Sequence, residues 1–175
     1  MTEPIETGKP TDLSTDSLGP RPLLEIGEGN AREARDAMTL LVAELQAGLD
    51  CDEADTYDSR FAADILWGSP FGATVRGYEP LHAIHVRMHQ RPGGGPAGPS
   101  SRFEVVHVLV PSPDVAIAQV RRVALDGAGH AVEPTFDTTK PFSEMALYVL
   151  VRRDGTWWLA AGQNTPVRPG APSSH

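Results

Sequence analysis

The first sustained helical period begins at Asn30, where Ala34, Met38, Leu41 and Leu45 recur at steps of four, three and four residues while Arg32, Glu33, Arg35, Asp36 and Glu44 take other faces. That spacing predicts an amphipathic helix. Asn30 can cap its first turn, Glu33 can reach back to the Asn30 amide, and Gly48 and Asp50 mark its end. Asp52 to Arg60 suits a short acidic helix, and Ile65, Leu66 and Trp67 read as a strand broken by Gly68, Ser69 and Pro70. A second short strand runs from Ala73 to Arg76. Helical spacing returns over Tyr78 to Gln90, with Leu81, Ile84 and Met88 on one stripe and Glu79 and Pro80 in the first turn.

Arg91 to Pro99 is a Gly/Pro loop, and everything after it alternates as β-structure. Strands are expected at Arg102 to Val110, Val115 to Leu125, Phe142 to Val151 and Thr156 to Asn164, rich in Val, Leu and aromatics and separated by turn residues. A tight connection at Ser112 and Pro113 sets Glu104 near Arg121 and His107 near Ala118. Asp154-Gly155 is a hairpin signal before Trp157 and Trp158, which alternation sends to opposite faces. The expected architecture is α+β: three N-terminal helices packed on a highly curved, mainly antiparallel sheet. Residues 1–28, poor in aliphatics, read as a flexible tail in which Leu23, Leu24 and Ile26 can dock on the body or on a partner. Residues 29–167 form the domain, and residues 168–175 a second tail.

The order of elements resembles the NTF2-like superfamily, including its SnoaL-like cyclases and ketosteroid isomerases. Phe61-Ala62-Ala63-Asp64-Ile65-Leu66-Trp67-Gly68-Ser69-Pro70, with Gly72 and Gly77, resembles that superfamily's strand and turn after the second helix. Ala146 to Thr165, ALYVLVRRDGTWWLAAGQNT, resembles the last hairpin of the SgcJ/EcaC group, which is associated with enediyne polyketide biosynthesis. The resemblance implies a cone-shaped domain and a homodimer. It also implies a hydrophobic polyketide-type ligand, handled by a cofactor-independent cyclase, dehydratase or isomerase or by a non-catalytic accessory protein that assists an enzyme such as a polyketide synthase. Ketosteroid isomerase-like members need a carboxylate, a phenol and a second carboxyl at positions that fall near Ser69, Leu41 and Leu147. None of these carries the required group. Glu144 is the nearest late-strand carboxylate, out of phase with Leu147.

Composition narrows the field. Of 175 residues 40% are hydrophobic and 22% charged, a globular balance in one domain, while 17 Gly and 16 Pro imply substantial loops. The formal charge of -8 argues against nucleic acid, whose phosphates need a clustered basic surface. The acidity is concentrated early: residues 1–60 carry 14 Asp and Glu against 5 Lys and Arg, and the remainder 9 against 10. The single cysteine, Cys51, precludes an internal disulfide, and no segment approaches the roughly 18 apolar residues of a membrane span. A soluble cytoplasmic protein is expected. No GxGxxG motif joins a strand to a helix, so neither nicotinamide nor flavin is expected.

The candidate chemistry lies in histidines and in groups near the predicted pocket. His82, His85 and His89 stack on one helical stripe, His85 nearest the apolar face, and they read as solvated or core-edge rings because a metal would need a further ligand. His107 alternates with Phe103, Val105 and Leu109 and is expected on the concave side, as a structural group or, with His85, as an acid–base pair. Trp67, Ser69, His85, His107 and Asn164 are the expected ligand-binding residues, with Gln163 beside them. Asp64 reads as a turn residue accepting local amides, a general base being the functional alternative. Asp126 to Pro141 is long for a strand connection and reads as a lid or an insertion.

Overall fold

A computed structural model describes residues 20–90, 100–137 and 139–170. The expected tails fall partly outside the described residues, and the Gly/Pro loop lies wholly outside them. Helices α1 (Glu28–Cys51) and α2 (Ala54–Tyr57) precede β1 (Phe61–Gly68) and β2 (Thr74–Arg76); α3 (Tyr78–His89) comes next, and β3 (Ser101–Ser112), β4 (Val115–Ala124), β5 (Glu144–Arg153) and β6 (Thr156–Pro166) follow. They form one six-stranded sheet in the order β2-β1-β6-β5-β4-β3, antiparallel except where β1 runs parallel to β6. Register breaks in β1, β3 and the β5–β6 ladder bend it, since each unpaired residue adds local twist.

Helix α1 buries Ala31, Ala34, Met38, Leu41 and Leu45, the stripe that its 3.6-residue period dictates. Its ends differ from expectation. Gly27 occupies the N-cap with no side-chain hydrogen bond, leaving Asn30 within the first turn. Gly48 does not stop the helix: a Cβ there would lie 2.4 Å from the Tyr57 backbone nitrogen, so the glycine permits α2 to cross closely. The stop falls at Asp52, left-handed at φ 57. Ahead of α1, the Ile26 amide donates to the Val110 carbonyl and Glu25 accepts from the Val110 amide, tying this segment to the edge strand β3.

On the sheet, Asp154 (φ 53) and Gly155 (φ 76) are both left-handed, the backbone a two-residue hairpin turn requires. Trp157 is buried on the inner face and Trp158 lies on the outer one. Leu66 and Leu147 also face outward. The inner faces of β4 to β6, together with α1 and Ile65, Trp67 and Leu81, make one core, and that core opens into a cavity beneath α3.

Candidate functional site

The cavity holds about 500 Å³ between α3, the inner sheet face and the turn after β1, with the end of the long loop before β5 at its mouth. Its walls are chiefly apolar: Trp67, Leu81, Ile84, Met88, Phe103 and Val120. Polar groups enter from three directions.

The first is a carboxylate shared by two histidines. Asp58, directly after α2, has a fully buried side chain and accepts from His85 Nδ1 at 2.6 Å and from His82 Nδ1 at 2.8 Å. With Nδ1 committed to Asp58, His85 is left with Nε2 for the cavity, and this carboxylate fixes the tautomer with a free Nε2 lone pair. The ring is held edge-on to Tyr57, Phe61 and Trp67, with centroids at 5.3, 6.0 and 6.0 Å. His82 lies on the solvent side, its Nε2 3.2 Å from exposed Asp55. His89 donates from Nδ1 to Asp52, and its buried Nε2 has no hydrogen-bond partner among the described residues.

The second polar contribution is a pair of phenols. Tyr57 and Tyr148 are buried, line the cavity, and hydrogen-bond through their hydroxyls to no other described residue. Burial pushes both phenols well above their ordinary range, and the neighbouring Glu144 adds to the shift while Arg122 opposes it. Both hydroxyls therefore remain donors at neutral pH. In the unfolded chain such phenols release their protons near pH 10, so above that pH the folded state binds more protons than the unfolded one. Stability should fall by about 1.4 kcal/mol per pH unit for each phenol once pH exceeds about 10. Urea midpoints measured between about pH 9 and 11 check this. A decline identical in wild type and Tyr57→Phe/Tyr148→Phe would contradict it.

The third is an ion pair in the cavity wall. Arg122 donates from Nε and NH2 toward Glu144 at 3.2 and 3.0 Å, from NH1 to the Ser101 hydroxyl and from NH2 to the Phe142 carbonyl. Glu144 faces inward with Ala146 and Tyr148, whereas Leu147 is 48% exposed. The expected phase of β5 is thereby reversed.

Of the residues expected to bind ligand, Trp67, Ser69, His85 and Asn164 line this cavity. Trp67 stacks between Phe61 and Tyr148, at 5.5 and 6.0 Å, above Gly162, where a Cβ would meet the indole at 2.5 Å. Ser69 accepts the Phe71 and Ala73 amides at the rim, and buried Asn164 points inward from β6. His107 does not join them. Val106 is the extra residue in a β3 bulge, so His107 pairs with Gln119 instead of Ala118 and is exposed on the outer face. The acid–base pair of His85 and His107 is therefore not assembled. Asp64 is exposed in a separate groove beside Tyr78, Glu79 and Trp158, and Gln163 is exposed as well. In the long connection, Thr139, Lys140 and Pro141 reach the cavity mouth, where Phe142 meets Phe71 edge-on at 5.5 Å.

Sequence reasoning missed Asp58, Tyr57, Tyr148 and Arg122. One signal was available: Asp52, Asp55 and Asp58 recur every three residues, opposite histidines spaced by three and four on the next helix. Among the described residues no cluster of three or more His, Cys, Asp or Glu side chains could hold a metal ion.

No family model and no curated protein matches the sequence. Solved structures match in fold. An uncharacterized protein with a cystatin-like fold from Caulobacter vibrioides aligns at 19% identity over 78% of this chain and 92% of that one, with a TM-score of 0.60. An NTF-2 like protein of unknown function from Shewanella oneidensis aligns at 10% identity over 75% and 98%, with a TM-score of 0.59. The fold is NTF2-like. A ketosteroid isomerase-like protein from Erwinia carotovora atroseptica aligns at 14% identity over 82% of this chain and 100% of that one, with a TM-score of 0.59. Within this NTF2-like cone, the three positions at which steroid-isomerase chemistry would be expected do not supply it: Leu41 is in the core, Leu147 faces out, and Ser69 serves its turn. The polar groups at the cavity include Tyr57, Tyr148 and His85 with its partner Asp58. No helix is long and apolar enough to cross a membrane among the described residues.

Proposed function

We propose that the cavity binds a hydrophobic, polyketide-type molecule bearing a carbonyl or hydroxyl group, and that His85 transfers a proton to or from it without a cofactor. The observation that carries this reading is an imidazole oriented by a buried carboxylate and facing an otherwise apolar chamber. His85 Nε2 takes a proton from a C–H or O–H bond of the ligand, and the electron pair released moves onto the ligand oxygen, toward the Tyr57 and Tyr148 hydroxyls. Asp58 stabilises the imidazolium, which returns the proton to another atom of the ligand. Such a cycle suits isomerisation, dehydration or cyclisation.

The resemblance of residues 146–165 to the SgcJ/EcaC group supports placing the ligand in enediyne-like secondary metabolism, with a polyketide synthase as a candidate partner. A cytoplasmic homodimer joined through Leu66, Leu147 and Trp158 belongs to the same reading, because the outer sheet face exposes these large apolar side chains. A non-catalytic binding protein is the second reading, favoured by the exposure of His107, which leaves His85 without a second histidine in the cavity.

Titration with conjugated polyene ketones, followed by tryptophan fluorescence and by mass spectrometry of products, separates the two. Saturable binding with conversion, reduced about 100-fold or more in kcat by His85→Ala, supports proton transfer. Binding with no conversion supports the accessory role. Absence of binding defeats both.

A further inference from the structure

Asp58 has two oxygens and gives each to a different ring: Oδ1 to His85, on the cavity, and Oδ2 to His82, 20% exposed on the solvent side. His82 is stacked on Tyr78 with its ring 5.1 Å away and 8° from parallel, so its orientation is fixed from a second side. Its outer nitrogen faces Asp55, whose side chain is 93% exposed. With both its nitrogens facing carboxylates, His82 donates to both only when it carries two protons. Other titratable and charged groups near the two rings are Tyr57, beside His85, Tyr78 and Glu79 on the first turn of α3, Arg122, Lys140, Glu144 and Tyr148, which line the cavity with His85, and Asp64 and Arg153 in the groove beside Asp58.

We propose that His82 is a positioning residue of this site, the solvent-side partner through which external pH sets how much of the Asp58 charge is available to His85. This rests on His85 being the reactive group of the cavity. A positive His82 neutralises Asp58 from outside and weakens its hold on a protonated His85. A neutral His82 returns that charge, and His85 then keeps a ring proton more readily. Both rings share one carboxylate, and the expected mark of their coupling is an inflection in the His85 curve that belongs to His82.

Histidine-labelled full-length protein, followed by long-range nitrogen–proton NMR across pH, reads the protonation of each ring directly and needs no ligand. In His82→Phe, which preserves the stacking on Tyr78, the extra inflection of His85 should vanish, and its remaining step should move to higher pH. Asp55→Asn, at an exposed position, should retain the inflection and shift it to lower pH, and it keeps the proposal testable where His82→Phe does not fold. A His85 curve identical in wild type and either folded variant overturns the coupling. Response of His85 to His82 in a protein that binds no polyene would leave the coupling standing and defeat only the reading of the cavity.

Discussion

Asp58→Ala should lower stability by about 3–5 kcal/mol, the range expected when one partner of a buried charged network is removed. The Asp58 side chain is fully buried and satisfies two imidazole donors, so alanine removes both bonds and opens a small void. The two losses differ. His82 is partly exposed and can donate to water, whereas the buried His85 must leave its Nδ1 proton unpaired among Tyr57, Phe61 and Trp67. Most of the effect therefore resides in His85. For a domain of this size the fall in Tm should be roughly 10 °C, measurable by thermal unfolding with a urea titration to check the free energy. Asp58→Asn is the informative companion. It retains the volume and one acceptor oxygen, so its stability loss should be smaller, yet the carboxylate that holds the His85 tautomer is gone. A loss below about 1 kcal/mol for the alanine variant would mean that the two histidines find other partners and that Asp58 does not organise them.

The elements that were legible in the sequence are those whose determinants are local. The α1 stripe is buried because its apolar residues recur at the helical period, and Asp154-Gly155 makes its turn because both positions accept a positive φ. What was not legible depends on one extra residue or on distant partners. His107 was expected on the concave side by counting in twos from Phe103, and the unpaired Val106 reverses that count. Glu144 and Leu147 exchanged faces for want of a registered neighbour: the ladder to β4 sets Leu147 opposite exposed Gln119 and Ala146 opposite buried Val120. Asp58 escaped notice for another reason. Its partners lie 24 and 27 residues further along, and only the packing of α2 against α3 brings them together. Tyr57 is placed by a different crossing, that of α2 over α1, which Gly48 makes possible.

Arg122→Met should also cost about 3–5 kcal/mol, because it leaves the Glu144 carboxylate in the cavity wall without its cation. The Ser101 hydroxyl and the Phe142 carbonyl lose a donor at the same time. Glu144→Leu should also destabilise, because it takes the carboxylate from a shielded guanidinium that keeps neutral acceptors such as the Ser101 hydroxyl and the Phe142 carbonyl. The double variant Arg122→Met/Glu144→Leu should come back to within about 1 kcal/mol of wild type, since apolar side chains of similar volume suit walls already formed by Phe103 and Val120. Chemical denaturation of the four proteins closes this cycle. Additive losses in the double variant would show that the two side chains act independently. Removal of the pair also leaves burial as the main influence on Tyr57 and Tyr148, because Arg122 and Glu144 act on both phenols in opposite directions. The hydroxyls should thus remain protonated donors. If the double variant folds as well as wild type but binds polyene ketones at least 10-fold more weakly, the ion pair is present to orient the polar end of a ligand. If binding is unchanged, recognition falls to the phenols, His85 and Asn164, and the pair is a structural tie between β4 and β5.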